Sequence, residues 1–118
     1  MTLEHYPNDD DQRALLEAQQ ILAASGVTAA PSGYDLTTLA AAVYARGWAY
    51  RIDRSAGSFQ AEIRPQQNAA NQPLGIKSGW TADVALAFAL AQALLRQAER
   101  SGQLQHLVAK IGNVAPAG

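Results

Sequence analysis

The longest hydrophobic stretch of the chain, residues 79–100, is apolar on nearly every side of a helix. Its large side chains are separated mostly by alanine, and they are Val84, Leu86, Phe88, Leu90, Leu94 and Leu95. A helix that is apolar all round is buried from more than one side. The segment is therefore predicted to be the central helix of a small domain, with Thr81 as its N-cap.

Helical spacing of apolar residues also predicts a helix near each end of the chain. The first covers residues 9–25, where three aspartates stand at the N-terminus that the helix dipole favours for anions. Gly26 is predicted to stop it, and its modest apolar face indicates an outer layer. The last helix has apolar residues at the positions of one face and is predicted to end at Gly112; these residues are Leu104, Leu107, Val108 and Ile111.

A further helix is predicted just before the middle of the chain. Its apolar residues recur at intervals of three and four: Leu36, Leu39, Ala40, Val43 and Tyr44. Ser32 and Asp35 before it have the spacing of a capping box, with Asp in place of the usual Glu or Gln. Gly47 stands where a left-handed C-terminal residue is expected.

In the two short segments that follow, apolar residues alternate strictly with polar or small ones, and this pattern predicts a β-hairpin. Trp48, Tyr50 and Ile52 alternate with polar or small residues in the first strand. Phe59, Ala61 and Ile63 do so in the second. Because paired side chains must share a face, a three-residue loop is rejected unless a bulge restores the register, and an even loop is expected. A two-residue loop at 56–57 would pair Ile52 with Ala61 and Arg51 with Glu62. A four-residue loop would pair Ile52 with Phe59 instead.

The polar segment 66–73 is predicted to be a mobile loop, and residues 74–77 a short additional strand. The expected fold class is α+β, with a small antiparallel two- or three-stranded sheet packed on helices in the order α-α-β-β-(β)-α-α. Residues 9–112 are expected to form a single domain with its core in 32–100. Residues 1–8 and 113–118 are expected to be flexible.

Composition restricts the possible functions. The 118 residues include no cysteine, 48% hydrophobic and only 16% charged residues, and the net charge is −1. Disulfide scaffolds, cysteine-ligated metals and cysteine nucleophiles are thereby excluded. The acidic N-terminus lacks the apolar core of a secretory signal, and no apolar run is long enough for a membrane span. A cytoplasmic protein without membrane contact is expected.

Candidate chemistry is sparse. Residues 75–81 (GIKSGWT) could hold an anion at a helix N-terminus, but Lys77 precedes Gly79, whereas a P-loop has the reverse order. A turn and helix cap is the preferred interpretation. His5 and His106 lack partners at metal-ligand spacing, and the aspartates at 9–11 lack the rest of a calcium loop. No catalytic residue, cofactor site or metal site is predicted.

Four basic residues in and near the predicted strands form the candidate partner or nucleic-acid surface: Arg51, Arg54, Arg64 and Lys77. Interleaved aromatic and cationic side chains are typical of single-strand binders. The aromatic residues of this region, Trp48, Tyr50 and Phe59, share one strand face, however, and are predicted to be core.

The order of elements within 36–98 resembles a double-stranded RNA-binding domain, a family whose last helix begins with lysines on phosphates. Here the matching stretch is residues 78–84, and only Lys77 beside it is basic. The resemblance therefore implies the topology without the RNA-binding residues.

The same region is similar to the small phage "ABA sandwich" domain. The similar features are a helix ending in Arg46-Gly47-Trp48, a hairpin carrying aromatic residues, and Gly79-Trp80 leading into the Ala/Leu-rich segment 85–95. This resemblance covers about half of the chain. It implies a phage or prophage-type accessory protein and brings no functional residues with it.

These patterns favour a small non-enzymatic protein-interaction module, an accessory or inhibitor protein that binds a host protein. Its partners are expected to be an unidentified protein and, through the helix at 82–100, a second copy of the chain. Packing of that helix within its own chain is the preferred alternative to the dimer. Nucleic-acid binding through an outer sheet face of an α-β-β-β-α domain is the alternative function, and an enzyme ranks last.

Overall fold

The chain forms a three-stranded antiparallel sheet with helices on one face. The computed structural model describes residues 9–31, 33–55, 57–66 and 73–114. The elements in chain order are α1 (Asp9–Ala24), α2 (Leu36–Ala45), β1 (Trp48–Ser55), β2 (Ser58–Pro65), β3 (Gly75–Gly79), α3 (Ala82–Arg100) and α4 (Leu104–Val114). The sheet order is β1-β2-β3. The predicted α+β fold is confirmed, and the sheet has the third strand.

The central position of α3 explains its all-round apolar character. One side packs against the three strands, and the other sides meet α1, α2 and α4. Nine of its residues are buried, among them Leu86 and Leu90 with no exposed surface. The preferred prediction of packing within the chain agrees with this arrangement. The buried side chains that suggested a dimer through 82–100 are covered by the chain's own elements.

The hairpin has the two-residue loop of the first register. Ser55 lies opposite Ser58, Ile52 opposite Ala61, and Arg51 opposite Glu62. Gly57 in the loop has a φ of 82°, a left-handed conformation that a residue without Cβ adopts at little cost.

Two helix boundaries differ from the predictions. Asp35 itself is the N-cap of α2, because its carboxylate accepts a hydrogen bond from the Thr38 N–H at 2.8 Å. A short side chain at this position reaches the third residue of the helix directly. The last helix does not stop at Gly112 but continues to Val114, since glycine within a helix costs only about 1 kcal/mol and ends it only where another feature does so.

The core extends beyond the predicted limits of 32–100. Leu22 from α1 has no exposed surface and joins Val27, Leu39 and Ile63 in the central cluster. The first helix therefore contributes to the core as well as forming an outer layer. The described helices include none with the length and apolar character that a membrane crossing needs.

Several predictions concern residues outside the described ranges. These are the lead-in 1–8, with His5, Ser32 of the predicted capping box, Ala56 of the hairpin loop, residues 67–72 of the polar loop, and residues 115–118 of the tail. At the start of the polar loop, Gln66 is fixed: its backbone N–H donates to Gly47 O and its side-chain amide to Trp48 O, both at 2.9 Å.

Candidate functional site

The cations on the outer face of the sheet lie beside carboxylates. Arg51 Nε is 3.2 Å from an oxygen of Asp53, and Arg64 Nε donates to the carboxylate of Glu62. The Arg51 pair is well exposed, so it contributes little stability. The positive charge of Arg51 is nevertheless balanced by the negative charge of Asp53 beside it. Over these four residues the outer face carries no net positive charge.

The other two predicted basic residues belong to the opposite face. Successive side chains of a strand point to opposite sides, and Arg54 lies opposite Phe59 while Lys77 lies opposite Ala61. The Arg54 guanidinium carbon is 5.6 Å from the centre of the Phe59 ring, within the range of a cation–π contact. The predicted basic surface is therefore divided between two faces of the sheet.

The GIKSGWT segment is a strand packed on a helix, and its glycines provide room for this contact. A Cβ at Gly75 would lie 2.2 Å from the carbonyl oxygen of Ala89, and one at Gly79 would lie 2.6 Å from the N atom of Ala85. The predicted helix cap is present, since Thr81 Oγ1 accepts from the Val84 N–H at 3.3 Å. The segment thus brings β3 against α3.

An open cavity lies where three helices end. It has a volume of about 650 Å³ and is lined by the last residues of α1 with Gly26, by Arg46 at the end of α2, by residues from 94 to 101 at the end of α3, and by the first two turns of α4. We call it the helix-end groove. Its volume lies within the usual range of ligand pockets.

Arg46 is the most unusual residue of the helix-end groove. It is the C-terminal cap of α2, and its Nη2 donates to the carbonyl oxygen of Ser25 at 2.8 Å. Its Nε is buried and has no hydrogen-bond partner among the described residues. A buried donor without an acceptor costs about 1–3 kcal/mol, so an acceptor that reached this N–H would remove an unfavourable contribution to stability.

The charges around the groove have one sign. Besides Arg46, the lining includes Lys110 and His106, which lie one helical turn apart on α4, and the part of the chain that the structure describes contributes no carboxylate to it. Lys110 and His106 are both exposed. Gln97, Gln103 and Ser101 add neutral polar groups, whereas Leu94 and Leu107 are buried and give the groove an apolar floor.

Sequence reasoning did not identify this site. Its lining comes from three separate parts of the chain, residues 23–26, Arg46 and residues 94–110, so no local motif contains it. The spacing of His106 and Lys110 was the one readable signal, because residues four apart share a helix face. Arg46 is placed by the meeting of α1 and α2, which the sequence pattern does not encode locally.

One hydroxyl elsewhere has an altered acidity. Burial raises the pKa of Tyr34 above its ordinary value of 10.0, and its OH donates to the Val27 carbonyl at 2.9 Å. This bond holds the connector between α1 and α2.

Metal chemistry has no support from the described ranges, which contain no group of three His, Asp or Glu side chains that could hold an ion. Comparison of the chain with protein-family models, with curated proteins and with solved structures gave no match.

Proposed function

We propose that this protein is a non-enzymatic interaction module that binds an acidic segment of a partner protein in the helix-end groove. The observation that carries the proposal is the charge of the groove: among the described residues, its lining has two cationic side chains and a histidine but no carboxylate. Complementary charge is a main determinant of which partner docks at an interface.

The surroundings of the groove favour a polypeptide as the occupant. Leu94 and Leu107 form an apolar floor, and Val108 on α4 is 55% exposed next to Leu107 in sequence. A helix whose apolar stripe is only partly covered by its own chain offers contact area to apolar side chains of a partner. An acidic segment with interspersed apolar residues matches both features.

The accessory or inhibitor role implied by the phage-domain resemblance is part of this proposal. A protein that acts by binding a segment of its partner needs no catalytic residue. The homodimer remains a separate prediction, which light scattering across a range of protein concentrations would test.

A selection of random twelve-residue peptides displayed on phage tests the proposal directly. Peptides selected on the wild-type protein are expected to be enriched in Asp and Glu, and Lys110→Glu is expected to weaken them about tenfold. Lys77→Glu is the matched control, since it makes the same change at an exposed lysine on the sheet.

The two variants separate the candidate surfaces. Loss of binding in Lys110→Glu with retention in Lys77→Glu would support the helix-end groove. Peptides without acidic enrichment, or equal binding to wild type and Lys110→Glu, would overturn the proposal. Loss in Lys77→Glu alone would place the interaction on the sheet instead.

A further inference from the structure

We propose that Arg46 is the specificity-determining residue of the helix-end groove and that it receives one carboxylate. This inference deepens the proposed function, because it names the group of the partner that the groove recognises. The carboxylate belongs to an Asp or Glu side chain or to a chain terminus, and the two sources are separated by the test below.

The first support is the way in which Arg46 is held. Its backbone N–H donates to Val43 O at 3.2 Å, and Gly47 after it turns the chain away with a φ of 78°. Its Nη2 is bound to Ser25 O. The side chain therefore bridges the ends of α2 and α1, so it already lies at the groove when a ligand arrives and only its guanidinium has to turn.

The second support is the unused donor. Arg46 Nε is buried without a partner in the described structure, whereas nearly all buried polar groups in proteins are hydrogen-bonded. Because the Nε atom is closed off from water, a ligand reaches it when the guanidinium turns toward the open side of the groove. This turn is favoured by the removal of an unsatisfied donor.

The geometry of the groove favours a carboxylate over a phosphate. Phosphates are usually bound at helix N-termini, where several N–H groups converge and the dipole is positive. The helix-end groove is formed by the C-terminal ends of α1, α2 and α3 together with the first turns of α4. The partial negative charge of the three C-terminal ends opposes any anion, and it opposes a dianion more strongly than a singly charged carboxylate. A planar, singly charged carboxylate matches the rigid guanidinium fork instead.

Lys110 and His106 supply the outer part of the site. Both are exposed on one face of α4. Lys110 attracts an anion to the groove and His106 adds a polar ring beside it, whereas Arg46 selects the anion. This division predicts different effects of their substitution. Loss of Lys110 lowers affinity for all anions, and loss of Arg46 removes the preference for carboxylate.

The test is an NMR titration that observes arginine Nε–H signals and backbone amides. The probes are N-acetyl-aspartate α-amide for a side-chain carboxylate, N-acetyl-alanine for a terminal carboxylate, and inorganic phosphate. We expect one of the carboxylates to shift the Arg46 Nε–H and amides of α4 at concentrations about tenfold below those needed for phosphate.

Arg46→Lys and Arg46→Gln complete the test. Arg46→Lys keeps the charge and a donor for Ser25 O, so it is expected to fold and to bind carboxylate and phosphate equally. Arg46→Gln is expected to lose the response. A purely structural role would lower the thermal midpoint without altering the ratio of carboxylate to phosphate affinity.

Two outcomes would overturn the inference: phosphate binding as tightly as both carboxylates, or an unchanged carboxylate preference in Arg46→Lys. Failure of the proposed function looks different. Small carboxylates would then still bind at Arg46, while the displayed peptides would show no acidic enrichment. Acidic peptides that depend on Lys110 but bind Arg46→Lys and Arg46→Gln normally would leave the proposed function standing and remove this inference.

Discussion

The backbone N–H of Ile76 on β3 donates a hydrogen bond to Oε1 of Gln92 on α3, with an N···O distance of 2.8 Å. One turn later on the same helix, Arg96 Nη1 donates to the carbonyl oxygen of Pro73 at 3.1 Å. Because β3 is an edge strand, its outward backbone groups have no neighbouring strand. Two side chains of α3 therefore cover part of an edge that could otherwise pair with another chain.

Gln92→Ala is expected to expose this edge. The bond is accessible to water, so its removal should lower the free energy of unfolding by no more than about 1 kcal/mol. The local effect should be larger than the global one: hydrogen exchange at the Ile76 amide should become faster. Gln97→Ala on the same helix is the control, and equal exchange at Ile76 in the two variants would contradict the role assigned to Gln92.

The contact between β3 and α3 predicts that glycine is required at position 75. In Gly75→Ala the new Cβ would meet the backbone of Ala89 at 2.2 Å, and backbone moves aside less easily than a side chain. We expect a loss of about 3 kcal/mol in the free energy of unfolding, measured by urea denaturation. Gly79→Ala, with a closest distance of 2.6 Å, should lose less.

Ser78→Ala is the control for this pair, because Ser78 is exposed on the opposite face of the same strand. Its expected effect lies within about 0.5 kcal/mol of zero. If Gly75→Ala were as stable as Ser78→Ala, the close approach of β3 to α3 would be wrong.

The hairpin shows how far local patterns carry a prediction. Parity excluded a three-residue loop without a bulge, and the cross-strand pair Arg51–Glu62 follows from the two-residue loop. The choice between two and four loop residues was open because both keep the apolar faces together. The structure has the two-residue loop, a tight turn in which the backbone of Gly57 is left-handed.

The structural role of residues 75–79 (GIKSG) could not be predicted from local patterns. Gly75 and Gly79 look like turn residues, since the sequence does not show that their absent side chains face Ala89 and Ala85. The helix-end groove could not be predicted from local patterns either, because Arg46 and Lys110 are far apart in the chain and line one cavity only after the helices have packed. Long-range contacts are the part of the fold that periodicity leaves undetermined.

Tyr34 predicts a specific dependence of stability on alkaline pH. Its pKa is raised in the folded protein by burial, so the folded state holds the phenolic proton more tightly than the unfolded chain. The stability that this difference supplies is present below the unfolded value of 10.0 and is lost as pH rises through the higher folded pKa.

Urea denaturation of wild type and Tyr34→Phe near pH 7 and about pH 11 measures this effect. Near neutral pH the variant should be less stable by about 1 kcal/mol, because the bond to Val27 O is lost. At alkaline pH the difference should shrink, since phenylalanine does not titrate. Tyr44→Phe, at a side chain that is 53% exposed, is the control. A constant difference between wild type and Tyr34→Phe would contradict the burial effect.

The division of the basic residues predicts weak binding to nucleic acids. Arg51 and Arg64 each lie beside a carboxylate on the outer face, and Arg54 and Lys77 belong to the other face. A duplex laid on the outer face would meet two cations whose charges are already balanced. Binding to phosphates depends on the release of counterions by unbalanced cations, and its affinity falls steeply with salt.

Fluorescence anisotropy with duplex RNA, duplex DNA and single strands at about 50 mM salt should therefore give dissociation constants no tighter than roughly 100 µM. Asp53→Asn and Glu62→Gln remove the balancing charges and should together strengthen binding while making it more sensitive to salt. Tight binding by the wild-type protein that is lost in Arg64→Gln would instead favour the nucleic-acid function.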